Sequence, residues 1–234
     1  FLAGTTIGTS SDSTGSFTLA NVPFGTHELI VSYVGYEVKN IPLRITEAKD
    51  MTMNFRMKRK IIKVPEIAVS ASEVKDWQKN FKKFKELFLG TSQNAAECEF
   101  QNPEVLDFIP QKGSTPFQAF AKEPLILDNK ALGYRVYYLL SNFEAKHTYV
   151  QYYGKAAFYE LEPTTRKQEI KWQKNRLETY RGSMKHFMAS LYDNTLKKEG
   201  YLAYQLPHFP QPGEEHTINK KDLRTKNVLS PGEL

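Results

Sequence analysis

Residues 1–45, FLAGTTIGTSSDSTGSFTLANVPFGTHELIVSYVGYEVKNIPLRI, set the class of the first part of the chain. Phe1 and Leu2 lead into the β-branched run Thr5-Thr6-Ile7-Gly8-Thr9, which predicts a strand from the first residue onward. Ser10 to Gly15 is dense in turn formers: Asp12 is placed to accept backbone N–H bonds, and Gly15 to take a positive φ, before a second strand at Phe17-Thr18-Leu19. Asn21-Val22-Pro23-Phe24-Gly25 punctuates again, and His27 to Tyr33 predicts a third strand. Val34-Gly35-Tyr36 bends the chain into a fourth, Val38 to Ile45, and closely spaced turns of this kind predict an all-β sandwich. Asp12 and Gly15 also fit a cation loop, but calcium takes about six to eight oxygens and one carboxylate with scattered hydroxyls supplies too few.

Working outward, 234 residues with 40% apolar and 13% aromatic content suffice for two packed domains. The net charge of +6 permits acidic partners, yet the cations sit in Arg56 to Lys63, Lys75 to Lys85 and Arg166 to Arg181, and acids interrupt the last two runs. Solvated helix faces and a linker account for that pattern. The single cysteine, Cys98, excludes an internal disulfide framework and a Cys-rich metal site. No stretch approaches the roughly 18 to 20 apolar residues of a membrane-spanning helix. A chain that opens inside a strand, without a leader, reads as a piece of a longer protein.

After a basic run, residues 58–71 form the expected linker, followed by an amphipathic helix from Ser72 to Leu89. Ser72 is the expected cap, with Glu73 and Asp76 in the first turn and Gly90 as the stop. Trp77, Phe81, Phe84 and Phe88 share one face of it; a ladder of this kind can grip a sugar or partner groove, but packing on a sheet is the expectation. Strands are then expected at Cys98–Phe100, Val105–Ile109, Phe117–Ala121, Leu125–Leu127, Tyr134–Leu140 and Tyr149–Leu161, arranged as an antiparallel meander. Two helices follow. Ile170, Trp172, Arg176, Leu177 and Tyr180 give the first its expected buried side, and Met184, Phe187, Met188, Leu191, Tyr192 and Leu196 give the second. Tyr201 to Leu206 predicts one more strand, and residues 208–234 an extended tail, with a short strand placed near Leu223 or Val228-Leu229.

The candidate binding residues are Arg176, Tyr180, Arg181, Ser183 and His186, grouped about the helix break at Gly182. A serine three residues before a histidine suggests nucleophile and base, and two arginines suggest an anion site. No orienting carboxylate is assignable from the spacing, so Ser183 is expected to cap the second helix and no catalytic residue is assigned. His27, His147, His186, His208 and His216 form no ligand-spaced pair, and Gly4 to Gly8 lacks a phosphate-binding lysine. No metal and no cofactor are expected.

The order Asp12-x-x-Gly15-x-Phe17, Val22-Pro23-x-Gly25, then Val34-Gly35-Tyr36 resembles the carboxypeptidase D regulatory-like domain of Bacteroidetes envelope proteins. The resemblance implies a transthyretin-like sandwich over residues 1–57 whose first strand, with its apolar-Gly-apolar pattern, is missing, leaving an edge for upstream residues or a neighbouring chain to cover. In carboxypeptidases this sandwich is an accessory to a separate zinc domain, whose ligand spacing is not present here. A second set, including Trp77, Phe88-Leu89-Gly90, Leu132-Gly133-Tyr134, Trp172, Tyr180-Arg181-Gly182-Ser183, His186-Phe187 and Glu199-Gly200-Tyr201, resembles a region found beside this domain in Bacteroidetes proteins. It implies an α+β domain over residues 72–207 with an antiparallel sheet and about three helices. The resemblance places the chain outside the cytoplasm, in the periplasm or at the outer membrane or cell surface, where no nucleic-acid partner is expected and outer-membrane association would run through segments outside this sequence. The expected role is non-enzymatic docking of an envelope protein or glycan. The alternative is the soluble periplasmic part of a TonB-dependent or other outer-membrane transport or assembly protein, with a barrel downstream.

Overall fold

A computed structural model describes residues 1–59, 71–111 and 113–202, with side chains in the first helix from Asp76 onward. The linker core, the strand expected to run to Leu206, the tail and the capping side chain of Ser72 lie outside the described residues. The chain divides into two compact units, residues 1–172 and 173–234.

The first unit opens with a two-stranded antiparallel sheet, β1 (Gly25–Val31) and β2 (Lys39–Ile45), in the register Leu29↔Ile41. Leu2, Leu29 and Leu43 are buried at its centre, with Ile7, Leu19, Val22 and Phe55 packed around them. Residues 1–3 do run beside β1: Ile30 N–H donates to Phe1 O (2.8 Å) and Ala3 N–H to Glu28 O (2.9 Å). The strands expected at Thr5–Thr9 and Phe17–Leu19 carry no ladder. Thr5 turns the chain instead, because its hydroxyl donates to Leu2 O (2.9 Å) and accepts from Ile7 N–H (3.0 Å). A β-branched residue whose hydroxyl holds the local backbone competes with sheet pairing. The turn at Asp12 is as expected. Its carboxylate accepts from Thr14 N–H (2.8 Å), Ser16 N–H (2.9 Å) and the Thr14 hydroxyl (2.6 Å), and these bonds hold it below the usual carboxylate range.

The rest of the unit is a helix on a larger sheet. Helix α1 (Ala71–Leu89) and the single turn α2 (Gln93–Ala96) precede β3 (Cys98–Phe100), a 3-10 turn (Pro103–Val105) and β4 (Leu106–Ile109). Then come β5 (Phe117–Ala121), β6 (Leu125–Asn129), β7 (Tyr134–Lys146) and β8 (Tyr149–Glu160). All pairs are antiparallel, but the order is not the expected meander. The consecutive strands β5 and β6 do not pair with each other; both pair with β7, β6 along Tyr134–Tyr138 and β5 at Glu144–Ala145. A strand of 13 residues is long enough to offer one edge to two short neighbours in succession.

β8 runs along the other edge of β7, and the register slips between Leu140 and Asn142. This bulge changes which residues face α1. Before it, Val136, Tyr138 and Leu140 turn to the core; after it, Phe143 and Ala145 do. Phe84 of α1 is fully buried, 4.8 Å from the Phe143 ring, and Phe81 and Phe88 stand edge-on or tilted to Phe100. Each fully buried aromatic contributes about 1.5–3 kcal/mol. Trp77 stacks on Phe81 and donates from Nε1 to Leu106 O (2.9 Å), so the aromatic ladder is core.

Two helices close the described chain, α3 (Arg166–Tyr180) and α4 (Met184–Tyr192). On α3 only Trp172 of the expected apolar side is buried, while Ile170 and Leu177 are exposed. Its indole N–H donates to Lys130 O (2.7 Å).

Candidate functional site

α4 forms where its periodicity predicts, but it buries only part of the expected face: Leu196 is buried and Phe187 and Leu191 are half-buried. Met184, Met188 and Tyr192 are 73%, 54% and 90% exposed, and His186 and Ser190 are buried. Burial of these two is possible because each is hydrogen-bonded locally. The Ser190 hydroxyl donates to His186 O (2.7 Å). Gly182 N–H points at His186 Nδ1 (3.1 Å); a backbone N–H can only donate, so Nδ1 is an acceptor and the ring carries its hydrogen on Nε2. The Tyr201 hydroxyl also reaches Nδ1 (2.9 Å), and Nε2 faces Glu199 Oε2 (3.2 Å). The rings of Tyr180 and Tyr201 flank the imidazole at centroid distances of 4.9 and 5.2 Å.

Of the five candidates, the structure brings Tyr180, Ser183 and His186 together. Ser183 is the N-cap of α4, and its hydroxyl accepts from His186 N–H (3.1 Å). Arg176 is half-buried on α3 and Arg181 is exposed at the break. The carboxylate missing from the sequence reading is Glu199, and Tyr201 is its companion. Both stand in the Glu199-Gly200-Tyr201 run, which carries no spacing signal toward His186. Serine, histidine and glutamate are therefore neighbours, but not in a relay. The imidazole nitrogens face Glu199, Tyr201 and a backbone N–H, and the serine hydroxyl faces the backbone of α4. A nucleophile and base must share a hydrogen bond, and here the bond between the two residues is a cap.

A second feature lies on the β7–β8 hairpin. Residues 149–153 of β8 are all exposed, a run of Tyr149, Val150, Gln151, Tyr152 and Tyr153. The hydroxyl of Tyr149 donates to Glu144 (3.0 Å), which pushes its ionisation up. Burial does the same to Tyr138, whose ring lies across the backbone of Gly154: a Cβ there would stand 2.3 Å from it. Among the described residues no group of acids, histidines and cysteine is arranged to hold a metal ion, and no helix is long and apolar enough to cross a membrane. An open hollow of about 260 Å³ lies between α1 and the sheet, lined by Phe88, Leu127, Val136 and Tyr138 with Cys98 beside them. Burial pushes the Cys98 thiol up, away from a reactive thiolate.

Residues 1–69 match the family model of the CarboxypepD_reg-like domain, a regulatory and non-catalytic β domain. No curated protein and no solved structure matches the chain.

Proposed function

We propose that the chain is a non-enzymatic docking module of the cell envelope, and that α4 presents its docking surface to a protein partner. The observation that carries this reading is the stripe Met184, Met188 and Tyr192, three large apolar side chains at steps of four that stand in solvent on one side of a helix. Methionine adapts to an apolar partner surface, and tyrosine and arginine are enriched where binding energy concentrates. Tyr180 and Arg181 adjoin the stripe in sequence, so the candidate binding residues fall at its end. Methionines favour an apolar protein ridge over a glycan, whose recognition relies on flat aromatic platforms with polar neighbours. The four cations Arg181, Lys185, Lys197 and Lys198 outnumber the acids Asp193 and Glu199 in this region, which fits a ridge with acidic flanks. The regulatory-like domain at the N-terminus, a non-catalytic module, supports an accessory role.

Site-specific photocrosslinking tests the reading. A photoreactive residue at Met188, in envelope preparations, is expected to give one discrete protein adduct that is absent when the same group is placed at Glu162. The adduct should weaken in Met184→Glu and with rising salt. Equal labelling from both positions, or glycan retention unaffected by Met184→Glu, would sink the protein-docking reading. A turnover abolished by His186→Ala at unchanged stability would sink the non-enzymatic one.

A further inference from the structure

We propose that the open edge of β8 between Tyr149 and Gly154 pairs antiparallel with the same edge of a second copy of the chain, centred on Tyr152. The outward parity of this strand is fixed by the chain itself. Gly4 N–H donates to Ala156 O (2.9 Å), and Phe158 N–H donates to Thr5 O (3.0 Å), so even-numbered residues of β8 turn their backbone groups away from β7. N–H and C=O alternate sides along an antiparallel strand. Val150, Tyr152 and Gly154 therefore point theirs to the same open edge, where they have no backbone partner among the described residues. Proteins blunt such edges with charge, proline or a bulge. Tyr149-Val150-Gln151-Tyr152-Tyr153-Gly154 has none of the first two, and the slipped residue lies on β7.

Three observations select a second copy as the occupant. First, the open segment is symmetric in length about Tyr152: Val150 meets Gly154 of the other copy, Tyr152 meets Tyr152, and every outward group is used. Second, the strand begins at Tyr149, where the chain turns back to β7, so it vacates the place that residues 4 and 5 of the other copy occupy beside Ala156. Third, the pairing sets Tyr149, bonded to Glu144, opposite Lys155 of the other copy, which already holds Glu28 at 2.6 Å. No lysine faces a lysine. The contact is isologous and closes on itself.

Sedimentation of the full chain over a wide concentration range tests this, with variants on the exposed face. Gln151 faces Tyr153 of the other copy, and both side chains are exposed, so changing them leaves the core intact. The expected result is a reversible dimer. Gln151→Lys with Tyr153→Lys should raise its dissociation constant about tenfold, and Gln151→Glu with Tyr153→Lys should restore it. Circular dichroism and melting of each variant confirm the fold. A monomer at every concentration overturns the proposal, and so does a dimer indifferent to both variants. A monomer whose β8 edge instead takes up an added extended peptide assigns the edge to a foreign strand and overturns self-pairing.

Discussion

The backbone of Gly133 lies flat against the indole of Trp172: a Cβ built on that glycine, at φ +69°, would stand 2.3 Å from Cδ2 and Cε3 of the ring. The same indole donates to Lys130 O, so the β6–β7 turn and the first half of α3 are joined by one side chain through both its face and its N–H. Gly133→Ala meets a clash and a strained φ together. It is expected to cost about 2–4 kcal/mol in urea unfolding, close to the loss from Trp172→Ala.

Asp128 and Arg135 face each other across β6 and β7 with two bonds, Nε to Oδ1 at 2.6 Å and Nη2 to Oδ2 at 2.7 Å. The carboxylate is buried, and the bond to it raises the guanidinium's affinity for its proton. Asp128→Ala should lower stability by about 1.5–3 kcal/mol, the range for a hydrogen bond to a charged group. Arg135→Lys keeps the charge but loses the fork, so it should recover only part of that loss. Paired chemical denaturation of the two variants, at low and high salt, separates fork from charge.

His186→Ala is expected to destabilise the protein by about 1–3 kcal/mol, since Gly182 N–H and the Tyr201 hydroxyl lose an acceptor and Glu199 loses a donor. Ser183→Ala removes a cap and should cost about 1 kcal/mol. Thermal melts of both, set beside a panel of hydrolase substrates, distinguish a structural cluster from a reactive one.

The Cys98 thiol binds its proton more tightly in the fold than in the unfolded chain, because burial disfavours the thiolate. A group with a raised folded pKa gives stability that is whole below its unfolded pKa, about 8.5, and is lost as the pH rises through the folded value. Stability is thus expected to fall with alkali, and Cys98→Ala should flatten that fall. A remainder will stay from Tyr138 and Tyr159, which burial also shifts upward. Labelling by a thiol reagent should be slow in buffer and fast in denaturant.

Much of this fold was legible because local and global signals agree. The aromatic spacing of Trp77, Phe81, Phe84 and Phe88 is both a helical stripe and a core surface, and β3 and β5 lie at their expected bounds. Periodicity failed where polar groups found partners of their own. His186 and Ser190 are buried because Glu199, Tyr201 and two backbone groups satisfy them, and the methionines of α4 turn outward as a result. No alternation rule could carry β7 past Ser141, since the bulge resets which parity faces the core. The strand expected at Thr5–Thr9 failed for a third reason: the Thr5 hydroxyl holds a turn that composition alone does not weigh against β-branching. The candidate site was half visible. Tyr180, Ser183 and His186 sit close in sequence, whereas Glu199 and Tyr201 join them only through the turns after α4.

Residues 4 and 5 also govern the order in which the molecule assembles. Their bonds to Ala156 and Phe158 join positions roughly 150 residues apart, so the entropy of closing that loop must be met before the contact returns anything. The hairpins β1–β2 and β7–β8, each between adjacent strands, have no such cost. The stitch should be late to form in refolding and early to open in the native state. The amide of Phe158, held by Thr5, will then exchange with solvent before its neighbours that face β7, and its protection measures how firmly the first five residues bind the two sheets into one cooperative body.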